Sequence, residues 1–134
     1  MSDDTVTYQY DELSRVTNRA INSVAQKLTF DSLHRITNVN NALGSFTNVY
    51  VGATARISTN FYPNGQRTVF GYYANTNDQR LQTIQNLKGN GTNISKFDYT
   101  YDADGQISTW TQQADANTPN VLVTEYDRWT NCSA

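Results

Sequence analysis

One eleven-residue pattern returns along this chain, and it limits the possible folds more than any other feature. Tyr8-Gln-Tyr-Asp-Glu-Leu-Ser-Arg-Val-Thr-Asn18 aligns with Leu28-Thr-Phe-Asp-Ser-Leu-His-Arg-Ile-Thr-Asn38. Each copy runs aromatic, Asp, three residues, Arg, a β-branched residue, Thr, Asn. A third copy, Tyr99-Thr-Tyr-Asp-Ala-Asp-Gly-Gln-Ile-Ser-Thr109, has Gln106 in the arginine slot. Weaker copies are Val51-Gly-Ala-Thr-Ala-Arg-Ile-Ser-Thr59 and the stretch around Asn77-Asp-Gln-Arg-Leu-Gln-Thr83, while Tyr62-Pro-Asn-Gly-Gln-Arg67 keeps the aromatic, the glycine turn and the arginine. Glu125-Tyr-Asp127 is a truncated copy. Asp11 and Asp31 lie 20 residues apart and Asp102 and Asp127 lie 25 apart, a period that suits one β-hairpin with its connection. The repeats fall roughly at residues 5–25, 26–45, 46–65, 66–90 and 95–115, with the truncated copy at 120–127. Units of this kind fold as a stack in which each one packs on its neighbours.

Period-two alternation predicts that the repeats are strands. Val6, Tyr8 and Tyr10 share one face, as do Leu28 with Phe30, and Phe97 with Tyr99 and Tyr101. A second strand follows each turn, over 15–22, 35–40 or 106–112. Asn64-Gly65 and Asp104-Gly105 are hairpin signals, because glycine reaches positive φ without a Cβ clash. Residues 80–87 carry a faint helical pattern, and their Thr and Asn content favours a strand. Segments 89–93 and 115–120 are predicted loops. Nothing divides the chain, so we expect a single all-β domain, a stack of antiparallel hairpins forming an open twisted sheet or a small barrel or solenoid.

The composition agrees and removes several functions. Nine Tyr, five Phe and two Trp stand beside abundant Thr, the side chains that suit a pleated, half-buried surface. Charged residues are only 16% of the chain, the net charge is -2 and the pI is near 5.1. Nucleic acid and anionic membranes call for a basic surface, so neither is expected as a partner. No apolar run approaches the roughly 18 residues of a membrane helix, and Met1-Ser-Asp-Asp has no signal-peptide character. A single cysteine, Cys132, excludes an intrachain disulfide, and a single histidine, His34, excludes any site that needs two.

The Tyr-x-Tyr-Asp-x-x-Gly-Arg type of unit resembles the YD repeat of the Rhs family, shared with teneurins and the shell-forming subunits of Tc toxins. The resemblance spans about Thr5 to Asp127. It implies hairpins wound side by side into a spiralling sheet, with long arrays forming a hollow shell around a toxin or a C-terminal segment. Two differences stand out. A handful of repeats is too few to close a shell, and the Asp-Pro-x-Gly self-cleavage motif of Rhs shells is missing, since Pro63 and Pro119 follow Tyr62 and Thr118.

The candidate residues are then weighed one by one. Asp11, Asp31, Asp102 and Asp127 recur at the same place beside a turn, four residues before Arg15, Arg35 or Gln106 in the first three copies. A short carboxylate there accepts backbone N–H groups of the turn while the arginine reaches back across it. Repetition at every hairpin marks a structural device. His34 aligns with Ser14 and Gly105, a turn slot where histidine tolerates the left-handed region. Tyr8, Tyr10, Phe30, Tyr99 and Tyr101 recur in register and are expected to stack as a buried ladder. Tyr72, Tyr73 and Trp110 fall outside that ladder and are the better candidates for stacking on a sugar. Sequons at Asn90, Asn93 and Asn131 matter only in a host that glycosylates secreted proteins.

No acid, base and nucleophile assemble from one histidine and one cysteine, so we expect no catalytic, metal or cofactor site. The leading expectation is a non-enzymatic structural or interaction module, extracellular or in the cell envelope, that self-associates through its terminal hairpins. A carbohydrate-binding or adhesive domain on the same scaffold is the second reading. A fragment of a toxin-encapsulating shell is the third.

Overall fold

The computed structural model describes residues 4–115 and 117–123. They form one sheet of eleven strands in strict chain order, every neighbouring pair antiparallel. The strands are β1 (Val6–Tyr10), β2 (Val16–Ile21), β3 (Val24–Phe30), β4 (Ile36–Asn41), β5 (Gly44–Tyr50), β6 (Ile57–Phe61), β7 (Arg67–Tyr72), β8 (Leu81–Leu87), β9 (Asn93–Tyr101), β10 (Ile107–Ala114) and β11 (Asn120–Val123). A single 3-10 turn, Asn75–Asn77, interrupts the meander before β8. Residues 80–87, with their faint helical pattern, are strand. β1 and β11 do not pair, so the sheet is open, and each strand contacts only its sequence neighbours.

Apolar and polar side chains run across the strands in rows, and both faces carry rows of each kind. Along one face the register lines up Leu28, Val39 and Phe46, and further on Phe70, Ile84 and Phe97. The other face carries polar rows such as Asn38–Thr47 and Thr83–Asp98–Thr111. There the Asn38 amide donates to the Thr47 hydroxyl at 2.9 Å and the Thr83 hydroxyl donates to Asp98 at 2.7 Å. Abundant Asn and Thr thus serve as cross-strand partners, the sheet counterpart of helical i,i+4 pairs. Because the sheet is a single layer, only Leu87 and Thr68 of the described residues are buried, with 8% and 7% of their surface accessible. Cohesion comes from strand-to-strand repetition, as in other linear repeat folds.

Both sheet edges are lined by turns, and one design serves many of them. In the loop of residues 11–15 the Asp11 N–H donates to the Arg15 carbonyl and the Ser14 N–H to the Asp11 carbonyl, each at 3.0 Å. Ser14 takes φ +60° there, and His34 and Gly105 take +63° and +86° at the same place in their turns. This is the three-residue hairpin loop that closes on a left-handed residue. Tyr62–Gln66 and Lys88–Thr92 close with the same pair of bonds. They lie on the opposite edge, so Tyr62-Pro-Asn-Gly-Gln-Arg67 shares the turn geometry and not the position of the Asp11 copies.

Candidate functional site

The repeated residues converge on the edge that carries the Asp11-type turns. In the first two copies the aspartate ties the loop together. Asp31 Oδ1 accepts the N–H groups of Leu33 and Arg35, both at 2.9 Å, and its Oδ2 accepts Arg35 Nε at 2.7 Å. Asp11 does the same with Leu13 at 3.0 Å, the Arg15 N–H at 2.9 Å and Arg15 Nε at 2.7 Å. The Arg15 and Arg35 backbone N–H groups are the main cause holding these carboxyls below their ordinary value, with the guanidinium bonds adding to them against partial desolvation. Asp102 accepts the Gln106 N–H at 2.9 Å, and Gln106 has no guanidinium to supply the bond that Arg15 and Arg35 make. The third repeat replaces the carboxylate altogether: Val51 stands in the Asp slot and the Thr54 hydroxyl accepts the Arg56 N–H at 3.2 Å.

Each arginine faces the next repeat, Arg15 and Arg35 held by the aspartate of their own turn and Arg56 by Gln79 and the Asp78 carbonyl of the following one. Arg15 lies over the Phe30 ring with its Cζ 4.5 Å from the centroid, and Arg35 lies over Tyr50 at 4.3 Å. Arg80 lies over Tyr101 at 5.5 Å and Arg56 over Tyr72 at 6.0 Å. The tyrosine hydroxyls complete the link. Tyr50 donates to the Ile36 carbonyl at 2.7 Å, Tyr72 to Ile57 at 2.8 Å and Tyr101 to Leu81 at 2.7 Å. In each case the acceptor is the residue after the arginine that covers the ring. Burial raises the Tyr72 and Tyr101 hydroxyls above their ordinary pKa, so both stay protonated donors. A β-bulge sits at every one of these rings, at Gln9/Tyr10, Thr29/Phe30, Val49/Tyr50, Gly71/Tyr72 and where Tyr101 meets Ile107. The extra residue re-aims the side chain at the strand end.

Two expectations about the ladder change. Tyr8 and Tyr10 were expected to be buried, yet they are 49% and 60% exposed. Their rings stack on each other, 6.4 Å apart, but β1 is an edge strand of the sheet, and no other described strand lies on its outer side. Tyr72 was placed outside the ladder and occupies one of its rungs, with Arg56 and Arg80 of the weaker copies as members and Tyr50 as one that the sequence pattern missed. The aromatic precedes the arginine by five residues at Tyr10 and Phe30, but by six at Tyr50 and eight at Tyr72. The longer loops disguised the spacing without moving the rungs.

The other candidates also have protein partners. Tyr73 donates its hydroxyl to the Tyr99 carbonyl at 2.9 Å and meets the Tyr101 ring edge-on at 6.2 Å. Trp110 stacks on Phe97 at 6.2 Å with the planes 10° apart. His34 Nδ1 accepts from Arg15 Nη1 at 3.1 Å. Tyr73 and Tyr101 border a recess of about 320 Å³, shared with Asp78, Arg80 and Asp102, where the 3-10 turn replaces a tight hairpin loop. Among the described residues no three His, Cys, Asp or Glu side chains group as metal ligands would. The truncated copy with Asp127, together with Cys132 and Asn131, lies outside the described residues.

No family model and no curated protein matches the sequence. Among solved structures the chain is similar to the crystal structure of TcdB2-TccC3-TEV, at 17% identity and a TM-score of 0.69. That likeness covers 83% of this chain and 6% of the other. It is a distant likeness of fold, and it supports the all-β architecture of stacked hairpins alone. A porin-like protein from Bacteroides uniformis ATCC 8492 matches over 91% of this chain and 53% of its own, with 17% identity and a TM-score of 0.48.

Proposed function

We propose that this chain is a non-enzymatic structural module, a stiff wall of YD-type hairpins that works outside the cell or in its envelope and assembles end to end. One observation carries the reading. The repeated polar and aromatic groups at the ladder edge are engaged with their own turn or with the next repeat, so the constellation links hairpins in place of converging on a substrate. The sparse charge and the YD resemblance support the location. The open sheet supports assembly: its two edge strands, VTYQY and NVLV, contain neither charge nor proline, the usual guards against edge pairing. Light scattering across a concentration series, with negative-stain microscopy of the same samples, tests it. Growing mass and elongated particles are expected, and a concentration-independent monomer refutes assembly.

A second reading, a carbohydrate-binding domain, draws on the recess beside Tyr73. It lies where the repeat is broken and pairs aromatic rings with Asp and Arg groups, the materials that recognise sugars. A glycan array on the parent and on Tyr73→Ala decides it: binding that disappears with the ring supports this reading, and no binding at millimolar sugar removes it.

A further inference from the structure

We propose that the recess beside Tyr73 takes a saccharide that carries a protonated amino group, with the ammonium seated on the Asp102 carboxylate. This rests on the reading of the chain as a carbohydrate-binding domain and names the class of sugar. The repeat itself shows what the Asp102 position accepts. At Asp11 and Asp31 one carboxylate oxygen takes backbone N–H groups of the turn, and the other, Oδ2, holds a cationic nitrogen, Arg15 or Arg35 Nε at 2.7 Å. Asp102 Oδ1 accepts the Gln106 N–H in the same way, but glutamine stands where the other copies have the cation. Among the described residues no cationic side chain pairs with the Asp102 carboxylate, and Asp102 is exposed where Asp11 and Asp31 are half-buried.

The neighbouring loop turns this carboxylate into one wall of a ligand-sized space. Tyr72 precedes Arg80 by eight residues, three more than separate Tyr10 from Arg15 or Phe30 from Arg35, and the added length forms the 3-10 turn Asn75–Asn77. Asp78 and Gln79 then take φ +57° and +49°, a left-handed conformation that side chains other than glycine hold under strain. The recess of about 320 Å³ between this turn and Asp102 suits one sugar ring. Charge selects the sugar. Arg80 is committed to the Asp78 carboxylate at 3.1 Å, to the Asp102 carbonyl at 3.4 Å and to the Tyr101 ring. With Arg80 and Asp78 offsetting each other, Asp102 leaves the lining one net negative charge, which an ammonium balances and an acidic sugar opposes. A bare cation needs nothing more, but Thr76 and Asn77 line the same recess with side chains that bond no described residue, and they match sugar hydroxyls. Tyr73 and Tyr101 supply the aromatic wall.

Isothermal titration calorimetry of the full chain with three trimers tests the site: β-1,4-linked glucosamine, its N-acetylated counterpart and the corresponding glucose trimer. The glucosamine trimer should bind at least about tenfold more tightly than the other two, the scale of one hydrogen bond to a charged group. Two variants read the carboxylate, and melting temperatures establish that each is folded. Asp102→Asn removes the charge and should bring the three trimers to one affinity. Gln106→Arg restores the pairing of Asp31 with Arg35, so it should occupy Asp102 and erase the preference while holding or raising the melting temperature. Lost preference without lost stability separates an occupied carboxylate from a damaged loop. Equal binding of the three trimers by the parent, or a preference that survives either folded variant, overturns the amino-sugar site and leaves the carbohydrate reading standing. A trilysine peptide bound as tightly as the glucosamine trimer shows that charge alone is read, and overturns it as well. No binding of any trimer at millimolar concentration removes the carbohydrate reading itself.

Discussion

The Arg35 guanidinium carbon lies 4.3 Å from the centroid of the Tyr50 ring, and the Tyr50 hydroxyl reaches back to the Ile36 carbonyl at 2.7 Å. One ring thus receives a cation on its face and ties its edge to the backbone just beyond that cation. Arg35 also donates to the carbonyls of Gly52 and Thr54 in the next turn, while its own Asp31 fixes Nε. Asp, Arg and aromatic therefore act as one joint between successive hairpins.

The joint is incomplete at Phe30, which carries Arg15 on its face but has no hydroxyl for the Val16 carbonyl. Phe30→Tyr should add the bond seen at Tyr50, Tyr72 and Tyr101 and stabilise the chain by about 0.5–1.5 kcal/mol. Tyr50→Phe should cost a similar amount. Urea denaturation of both variants checks the pair, and opposite signs are the required result.

Arg35→Lys keeps the charge and loses the planar fork. An ammonium cannot stack on Tyr50 while bonding Asp31 and the Gly52 and Thr54 carbonyls together. We expect a loss of about 1–2 kcal/mol from the weakened ring contact and the unmet carbonyls. A lysine variant as stable as the parent would show that charge alone matters.

The Asp11 and Asp31 carboxyls titrate below the ordinary 3.8, chiefly because backbone N–H groups bond their charged form. A folded pKa below the unfolded one means their stabilisation is complete above about pH 4. It fades as the pH falls through the depressed folded values. Melting temperatures of the parent and Asp31→Asn should differ most near neutrality and converge once the pH has fallen below the depressed folded value. A gap that does not change with pH would assign the effect to shape.

Gly105 has φ +86°, and a Cβ there would lie 3.3 Å from the Arg80 Cζ. Gly105→Ala should cost about 1–2 kcal/mol for the left-handed backbone, before any displacement of Arg80 from Tyr101. Calorimetry reads the loss. Gly105→Asn should cost less, because Asn tolerates that region, and equal losses would point to the crowding of Arg80.

Much of the fold was legible in the sequence because its determinants are local. The Asp31 bonds span two and four residues, and a left-handed slot that accepts Ser14, His34 or Gly105 is readable from any one copy. Alternating aromatic and polar residues set strands and faces in the same local way. The ladder is a different matter. Arg15 meets Phe30 fifteen residues on, whereas Arg80 meets Tyr101 twenty-one residues on, and a longer loop and longer strands between them absorb the difference. Strand register decides which ring receives which arginine, and loop length can vary without disturbing it. That is why Tyr72 looked unattached in the sequence and is a rung in the sheet. It is also why Tyr10, identical in motif to the half-buried rings, stands exposed: its environment depends on a neighbouring strand that no residue of its own repeat can supply.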